Sequence, residues 1–139
     1  MSMWARKSIV QSVGSDAAVQ KGVVRGNILT TIGKSANSNA INLGASYDVR
    51  NEDKKSWTAH YEFMRESYGG DSYDTKVMRD TTDGDKGLIG AHDVVFRNAR
   101  RFHCSQHHKS HVQRKGGAPA KAVYMTLVTA RLLLTLQFL

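Results

Sequence analysis

The sequence predicts an α+β protein, because an alternating middle segment is followed by a C-terminal third of helical character. Within residues 41–66, apolar and aromatic residues alternate with polar ones on both sides of a charged connection. Such period-two alternation is typical of an antiparallel β-hairpin with one buried face. Residues 94–139 contain no Asp or Glu and end in an apolar run. We therefore expect a small antiparallel β-sheet between an N-terminal amphipathic segment and a C-terminal helical arm.

Charge is distributed in blocks along the chain. Residues 1–47 carry five Lys/Arg and one acid, residues 48–93 carry seven and eleven, and residues 94–139 carry eight and none. The block charges of +4, −4 and +8 add up to the net charge of +8. Cationic segments are attracted to phosphate, whether in nucleic acid or in lipid headgroups. From the N-terminus, the sequence predicts a basic amphipathic segment at 1–26, a small β-rich domain at 27–93, and a basic His-rich arm with an apolar helix at 94–139.

The N-terminal segment, residues 1–26, predicts an amphipathic helix. Ile9, Val13 and Ala17 recur at four-residue spacing, which would place them on one helical face. The segment contains Arg, Lys and Ser with a single acid, a composition typical of a mitochondrial presequence. An ordinary helix packed on the domain is the alternative. The location of the protein stays open, with a mitochondrial or other organellar membrane favoured.

The predicted hairpin places its aromatic residues on one side. The inward positions of the first strand are Ile41, Leu43, Ala45, Tyr47 and Val49. In the second strand, Trp57, Tyr61 and Phe63 should point to one face and be buried, since aromatic side chains pack well across a pleated sheet. A third strand is predicted from Tyr73 to Arg79.

The Asp/Gly-rich stretch around Gly84 is predicted to form a turn and not a calcium loop. An EF-hand needs acids at its first, third and fifth positions and Gly at its sixth. With Gly84 as the sixth residue the first is Arg79, and with Gly87 as the sixth the fifth is Lys86. Neither register supplies the ligands, whereas Asp-Gly pairs are typical of turns.

A helix is predicted from Val94 to Val112, and basic residues within and after it are the predicted contacts for phosphate or a partner. These residues are Arg97, Arg100, Arg101, Lys109, Arg114 and Lys115. RNA is the polyanion that such an arm would bind along its phosphate backbone.

The same arm carries the chain's densest group of metal-binding side chains: His103, Cys104, His107, His108 and His111. On a helix, His103, His107 and His111 would share one face, and imidazoles so spaced bind zinc, copper or nickel. No acid follows Asp93 to orient these imidazoles. The sequence therefore favours a basic contact segment over a metal site, and no cofactor is predicted.

The apolar tail, residues 122–139, predicts an anchor. As a helix it would be about 27 Å long, slightly less than the roughly 30 Å of a bilayer core. It either contacts lipid or docks in a groove of another protein, and Arg131 would need a partner in both cases. The predicted anchor side chains are Leu127, Leu132, Leu133, Leu134, Leu136 and Phe138.

The sequence contains no nucleophile elbow, Cys-x-x-Cys pair or dinucleotide-binding fingerprint. A non-catalytic function is therefore favoured over an enzyme. We expect an accessory or scaffolding subunit of a larger organellar, membrane-associated assembly, whose partners are other protein subunits and membrane lipid. A basic, ribosome-associated RNA-contacting protein is the first alternative. A metal-binding domain that uses the His/Cys group is the second.

Overall fold

The structure is a computed structural model that describes residues 9–35, 37, 39–49, 52–70 and 78–136, with the backbone alone for 9–11, 35, 86 and 131–136. Its contacts divide the chain into two units, residues 1–102 and 103–139. Each unit is described by itself below.

The first unit is built on a five-stranded sheet with the strand order β3-β2-β1-β4-β5. Its elements are β1 (Ile9–Gln20), β2 (Gly26–Ser35), β3 (Ala40–Asp48), α1 (Lys54–Ser67), β4 (Arg79–Thr82), α2 (Lys86–Val95) and β5 (Arg100–His103), which ends at the unit boundary. Strands β1, β2 and β3 are antiparallel neighbours, while β4 runs parallel to β1. The predicted α+β class is confirmed, although the sheet is mixed and not purely antiparallel.

The N-terminal segment is a strand, so the predicted amphipathic helix is wrong over Ile9–Gln20. Val13 and Ser15 are buried, whereas Asp16 and Ala18 are exposed. Residues four apart lie on the same side of a strand as well as of a helix, so the four-residue spacing fitted both. Residues 9–20 form a strand because their backbone pairs with β2 on one side and with β4 on the other.

The second strand of the predicted hairpin is instead helix α1, and β3 pairs with β2. Asp53 caps the helix by accepting a hydrogen bond from the Ser56 N–H at 2.8 Å. Trp57 and Tyr61 are buried as predicted, but Phe63 is 56% exposed. On a helix, Phe63 lies roughly 120° around the axis from Trp57, which turns it away from the core.

Helices α1 and α2 contribute much of one hydrophobic core with the inner face of the sheet. The core residues are Val13, Leu29, Leu43, Trp57, Tyr61, Met64, Met78, Leu88, Ala91, Val95 and Phe96. Helix α1 approaches β3 closely at Gly44, where a Cβ would overlap the Met64 Sδ. The opposite face of the sheet carries the exposed residues Asp16, Ala18, Ile32, Ala45 and Tyr47. The predicted inward placement of Ala45 and Tyr47 is wrong, because the register shift between Thr31 and Ile32 turns this part of β3 outward.

The second unit contains helix α3 (Ser105–Leu136), which confirms the predicted C-terminal helix. Gly117 interrupts it with φ 69° and ψ −167°, a conformation that glycine adopts readily. The rings of His108 and Tyr124 stack with centroids 5.3 Å apart, so the two halves of α3 fold back on each other. In the part of the chain that the structure describes, no helix combines the length and the apolarity needed to cross a membrane.

A single helix from Val94 to Val112 is wrong, because α2 ends at Val95 and β5 intervenes before α3 begins at Ser105. Hydrogen bonding explains the strand: the Arg100 N–H donates to the Met78 carbonyl at 2.9 Å. Most of the predicted strand Tyr73–Arg79 lies outside the described residues, and Arg79 begins β4.

Candidate functional site

Two aspartates meet where β1 and β4 run side by side. The parallel register pairs Ser15 with Thr82, so Asp16 and Asp83 are the next residues on the two strands and lie on the same face. A carboxylate oxygen of Asp16 lies within 4.8 Å of one of Asp83. Asp83 follows the last residue of β4, and the carboxyl ends of parallel strands are a common place for ligands in α/β sheets.

Backbone N–H groups hold both carboxylates in place. The Ala17 N–H donates to Asp16 Oδ1 at 2.9 Å, and the Asp85 N–H donates to Asp83 Oδ1 at 2.8 Å. Each of these bonds uses one oxygen of its carboxylate, so the other oxygen is the one that would meet a ligand.

Glu52 and Asp85 add two carboxylates, and we call Asp16, Glu52, Asp83 and Asp85 the acidic cluster. Burial raises the pKa of Glu52, a hydrogen bond from the Trp57 indole at 2.9 Å lowers it, and the charges of Asp85, Asp83 and Asp16 raise it again. Asp85 caps α2 through the N–H groups of Gly87 and Leu88, so it contributes charge more than a free oxygen. A divalent cation would relieve the repulsion within this cluster.

A buried aspartate ties the two strands together on the inner face of the sheet. The Ser15 hydroxyl donates to Asp80 Oδ1 at 3.2 Å, and the Tyr61 hydroxyl donates to Asp80 Oδ2 at 2.9 Å. These bonds join β1, β4 and α1, and the β1 residue among them, Ser15, directly precedes Asp16. They hold the strand pairing that brings Asp16 and Asp83 together.

The hydrogen bonds continue from Ser15 to β3. Thr31 Oγ1 lies 3.2 Å from Ser15 Oγ and 2.9 Å from His60 Nε2. The other ring nitrogen of His60 lies 2.8 Å from Ser46 Oγ. Both ring nitrogens of His60 are thereby occupied within the core of the first unit.

Burial moves the pKa values of Asp80 and His60 in opposite directions. Burial raises the pKa of Asp80 to about 6, and the hydrogen bonds from Tyr61 and Ser15 together with the charge of Arg101 only partly counteract it. Burial lowers the pKa of His60 to about 4. Folding therefore favours the neutral form of both side chains.

The two shifts should oppose each other in the pH dependence of stability. Between about pH 4 and pH 6, folded Asp80 holds a proton that the unfolded state has lost, so stability falls as the pH rises. Between about pH 4 and pH 6.5, unfolded His60 holds a proton that the folded state lacks, so stability rises. As the pH rises from about 4 to about 6.5, the free energy of unfolding of Asp80→Asn relative to wild type should rise by roughly 3 kcal/mol. That of His60→Gln relative to wild type should fall by a similar amount.

Urea unfolding at several pH values measures these differences. Exposed Glu62 on α1 provides the control, since Glu62→Gln should follow the wild-type profile. Difference profiles of the same sign for Asp80→Asn and His60→Gln would contradict the opposed titration.

An open cleft of about 620 Å³ lies beside the acidic cluster. Its lining residues are Val19, Gln20, Lys21, Gly22, Arg25, Gly26, Asn27, Val49 and Glu52. Glu52 belongs to both features, whereas Lys21 and Arg25 supply positive charge. The cleft thus places one carboxylate of the acidic cluster, Glu52, in the same opening as two side chains that suit a phosphate.

The predicted basic contacts are divided between the two units. Arg97 and Arg100 are exposed, and Arg101 is half-buried on β5 with its Nε 3.7 Å from Asp93 Oδ1. Lys109, Arg114 and Lys115 lie on α3. Their role as contacts stays a prediction.

The His/Cys group does not share one helical face as predicted, because His103 lies on β5 and α3 begins only at Ser105. His108 stacks on Tyr124, and an Arg114 nitrogen lies 3.0 Å from His111 Nδ1. The pKa of Cys104 is lowered: burial acts to raise it, but hydrogen bonds from the backbone and side chain of His107 and from the Gln106 backbone outweigh that effect.

The predicted anchor is described only in part. Leu127 is 64% exposed on α3. The side chains of Leu132, Leu133, Leu134 and Leu136, and the whole of Phe138, lie outside the described residues.

Sequence reasoning missed Asp16 and Asp83 as partners. The sequence pattern predicts a turn at Asp83 and a helix at Asp16, so it does not bring the two together. One signal was present: Asp16 is the single acid among the first 47 residues. No model of a known protein family matches this chain, and no curated protein matches it.

Proposed function

We propose that this protein is a divalent-metal-dependent enzyme that cleaves or transfers phosphodiester bonds in nucleic acid. The observation that carries the proposal is the pairing of Asp16 and Asp83, whose carboxylate oxygens lie within 4.8 Å on adjacent parallel strands. Sequence reasoning favoured a non-catalytic protein, since no local motif joins these two residues.

The ligand chemistry supports a hard cation. Mg²⁺ prefers oxygen ligands and is usually bound through one or two carboxylates, with water and substrate phosphate completing its shell. Asp16 and Asp83 would supply the two carboxylates, and Glu52 and Asp85 would add negative charge around them. Mn²⁺ takes the same kind of ligand and provides a convenient probe.

A cation held there would polarise a phosphoryl oxygen and lower the pKa of a bound water. The pairing of β1 with β4 fixes the positions of Asp16 and Asp83, and the buried Asp80 bonds support that pairing. Water would attack phosphorus as the bridging P–O bond breaks, and the leaving oxygen would take up a proton. Asp16 and Asp83 would hold the cation, which would supply Lewis-acid stabilisation of the charge that develops on the phosphoryl group.

The charge of the protein supports nucleic acid as the substrate. The chain carries a formal net charge of +8, and Lys21 and Arg25 lie in the cleft that reaches Glu52. Positive charge attracts a polyanion over distances of a Debye length and increases its association rate. A small acidic metabolite would gain less, because it neutralises fewer of these cations.

Isothermal titration with Mn²⁺ tests the metal site. Wild-type protein should bind Mn²⁺, and Asp16→Asn or Asp83→Asn should weaken binding by more than about tenfold, since even partners that only orient a ligand contribute 10–100-fold. Glu66→Gln, which removes an exposed acid on α1, is the matched control and should bind normally. Equal Mn²⁺ affinity for wild type and Asp16→Asn would overturn the assignment.

The accessory-subunit function is the second candidate. Exposed apolar side chains on α3 favour it, namely Val123 and Leu127 at 61% and 64% exposure. They lie four residues apart and so share one side of the helix, which a partner could cover. Mn²⁺ binding together with cleavage of nucleic acid would favour the enzyme. The absence of both activities would favour the accessory subunit.

A further inference from the structure

The turn between β1 and β2, residues 21–25, presents two cations around two valines, and we call it the basic hairpin tip. Lys21 and Arg25 are exposed at its ends. Val23 is 105% exposed and Val24 is 57% exposed between them. Neither cation forms an ion pair with any residue that the structure describes.

The surroundings of the tip suit a polyanion. No Asp or Glu occurs in residues 17–47, which cover the end of β1, the tip, β2 and almost all of β3. Phosphates near Lys21 and Arg25 would therefore meet no opposing charge from residues 17–47. The nearby acids are Asp48, at the end of β3, and Glu52, in the cleft. Proteins that bind nucleic-acid grooves often place apolar side chains against sugars and base edges, a role that Val23 and Val24 could fill.

The tip lies at a useful distance from the acidic cluster. It follows the carboxyl end of β1, the direction in which β4 also ends. Lys21 comes five residues after Asp16, which corresponds to roughly 16 Å along a strand. That length equals about five nucleotide steps at roughly 3.4 Å each. The cleft of about 620 Å³ contains Lys21, Arg25 and Glu52, so it joins the two features.

We infer that the basic hairpin tip binds the nucleic-acid backbone about five nucleotides from the phosphate that reacts at the acidic cluster. The inference rests on the proposed function. Lys21 and Arg25 contact phosphates, while Val23 and Val24 contact sugars or base edges. The tip thereby sets the register of the strand that enters the cleft.

Salt dependence of binding tests the phosphate contacts. A labelled duplex oligonucleotide is titrated with the full chain at several salt concentrations without divalent metal, which prevents cleavage. Lys21→Gln/Arg25→Gln should reduce the slope of log affinity against log salt by about 1.8, the value for two phosphates. Lys54→Gln/Lys55→Gln, which removes the same charge from exposed positions on α1, should leave the slope close to wild type.

Three further measurements separate this inference from the metal site. Lys21→Gln/Arg25→Gln should bind Mn²⁺ as wild type does, whereas Asp16→Asn should keep the wild-type salt slope. Val23→Ser/Val24→Ser should lower affinity with the slope unchanged. A loss of Mn²⁺ binding in Asp16→Asn with no effect of the tip variants on the slope would refute the inference and spare the proposed function.

The position of the contact is tested with oligonucleotides shortened from one end. Their affinity should drop when fewer than about five nucleotides remain beyond the cleavage position. The inference is overturned if wild-type protein does not bind the duplex, if the tip variants bind it with an unchanged slope, or if the tip variants lose binding only to vesicles of anionic lipid.

Discussion

Replacing Tyr61 with alanine is expected to lower the free energy of unfolding by about 3–5 kcal/mol, the usual loss for a buried aromatic residue. The side chain is 1% exposed, and its ring lies 5.0 Å from that of Phe96 and 5.5 Å from that of Trp57 between centroids. Its hydroxyl also donates to buried Asp80. The substitution therefore removes core packing and leaves a buried carboxyl with one donor fewer. Urea unfolding at neutral pH measures the loss.

Two variants of the same helix separate these contributions. Phe63→Ala removes an aromatic ring of similar size from an exposed position, so it should cost less than about 1 kcal/mol. Tyr61→Phe keeps the ring but removes the hydroxyl that donates to Asp80. This variant should lower the free energy of unfolding by about 1–3 kcal/mol. Equal losses for Tyr61→Ala and Phe63→Ala would contradict the placement of α1 on the sheet.

The helix at Lys54–Ser67 shows why local pattern was insufficient for part of the fold. Trp57, Tyr61 and Phe63 alternate as in a strand, but Trp57, Tyr61 and Met64 also follow a helical spacing of four and three. Aromatic residues favour strands only when cross-strand neighbours are present. The capping Asp53 was the local signal for the helix, and it was missed because the charged run around it suggested a hairpin loop.

Strand β3 and the C-terminal helix were predictable because their patterns have one simple interpretation. From Ile41 to Tyr47 every second residue is apolar or aromatic and the residues between them are polar or Gly, whereas the apolar end of the chain has no such alternation. Strand β1 was not predictable in this way, since its apolar residues at Val13 and Ala17 fit a helix as well.

The acidic cluster could not be predicted because it depends on pairing between distant strands. Asp16 and Asp83 become neighbours only through the parallel register of β1 and β4, in which Ser15 pairs with Thr82. That register requires the intervening β2, β3 and α1 to be placed correctly first. Affinity of the basic blocks for phosphate stays a prediction, and the acid-free residues 17–47 include the basic hairpin tip.

Cleavage of a labelled duplex oligonucleotide in Mg²⁺ or Mn²⁺ tests the central claim most directly. Wild-type protein should cut or transfer a strand, and excess EDTA should stop the reaction, since the cation is part of the site. Asp16→Asn and Asp83→Asn should each reduce the rate by more than roughly 100-fold, because even partners that only orient a metal ligand contribute 10–100-fold. Glu66→Gln should react at the wild-type rate. Strand cleavage that persists in EDTA, or that proceeds equally well in Asp16→Asn, would contradict a metal-dependent site at the β1/β4 pair.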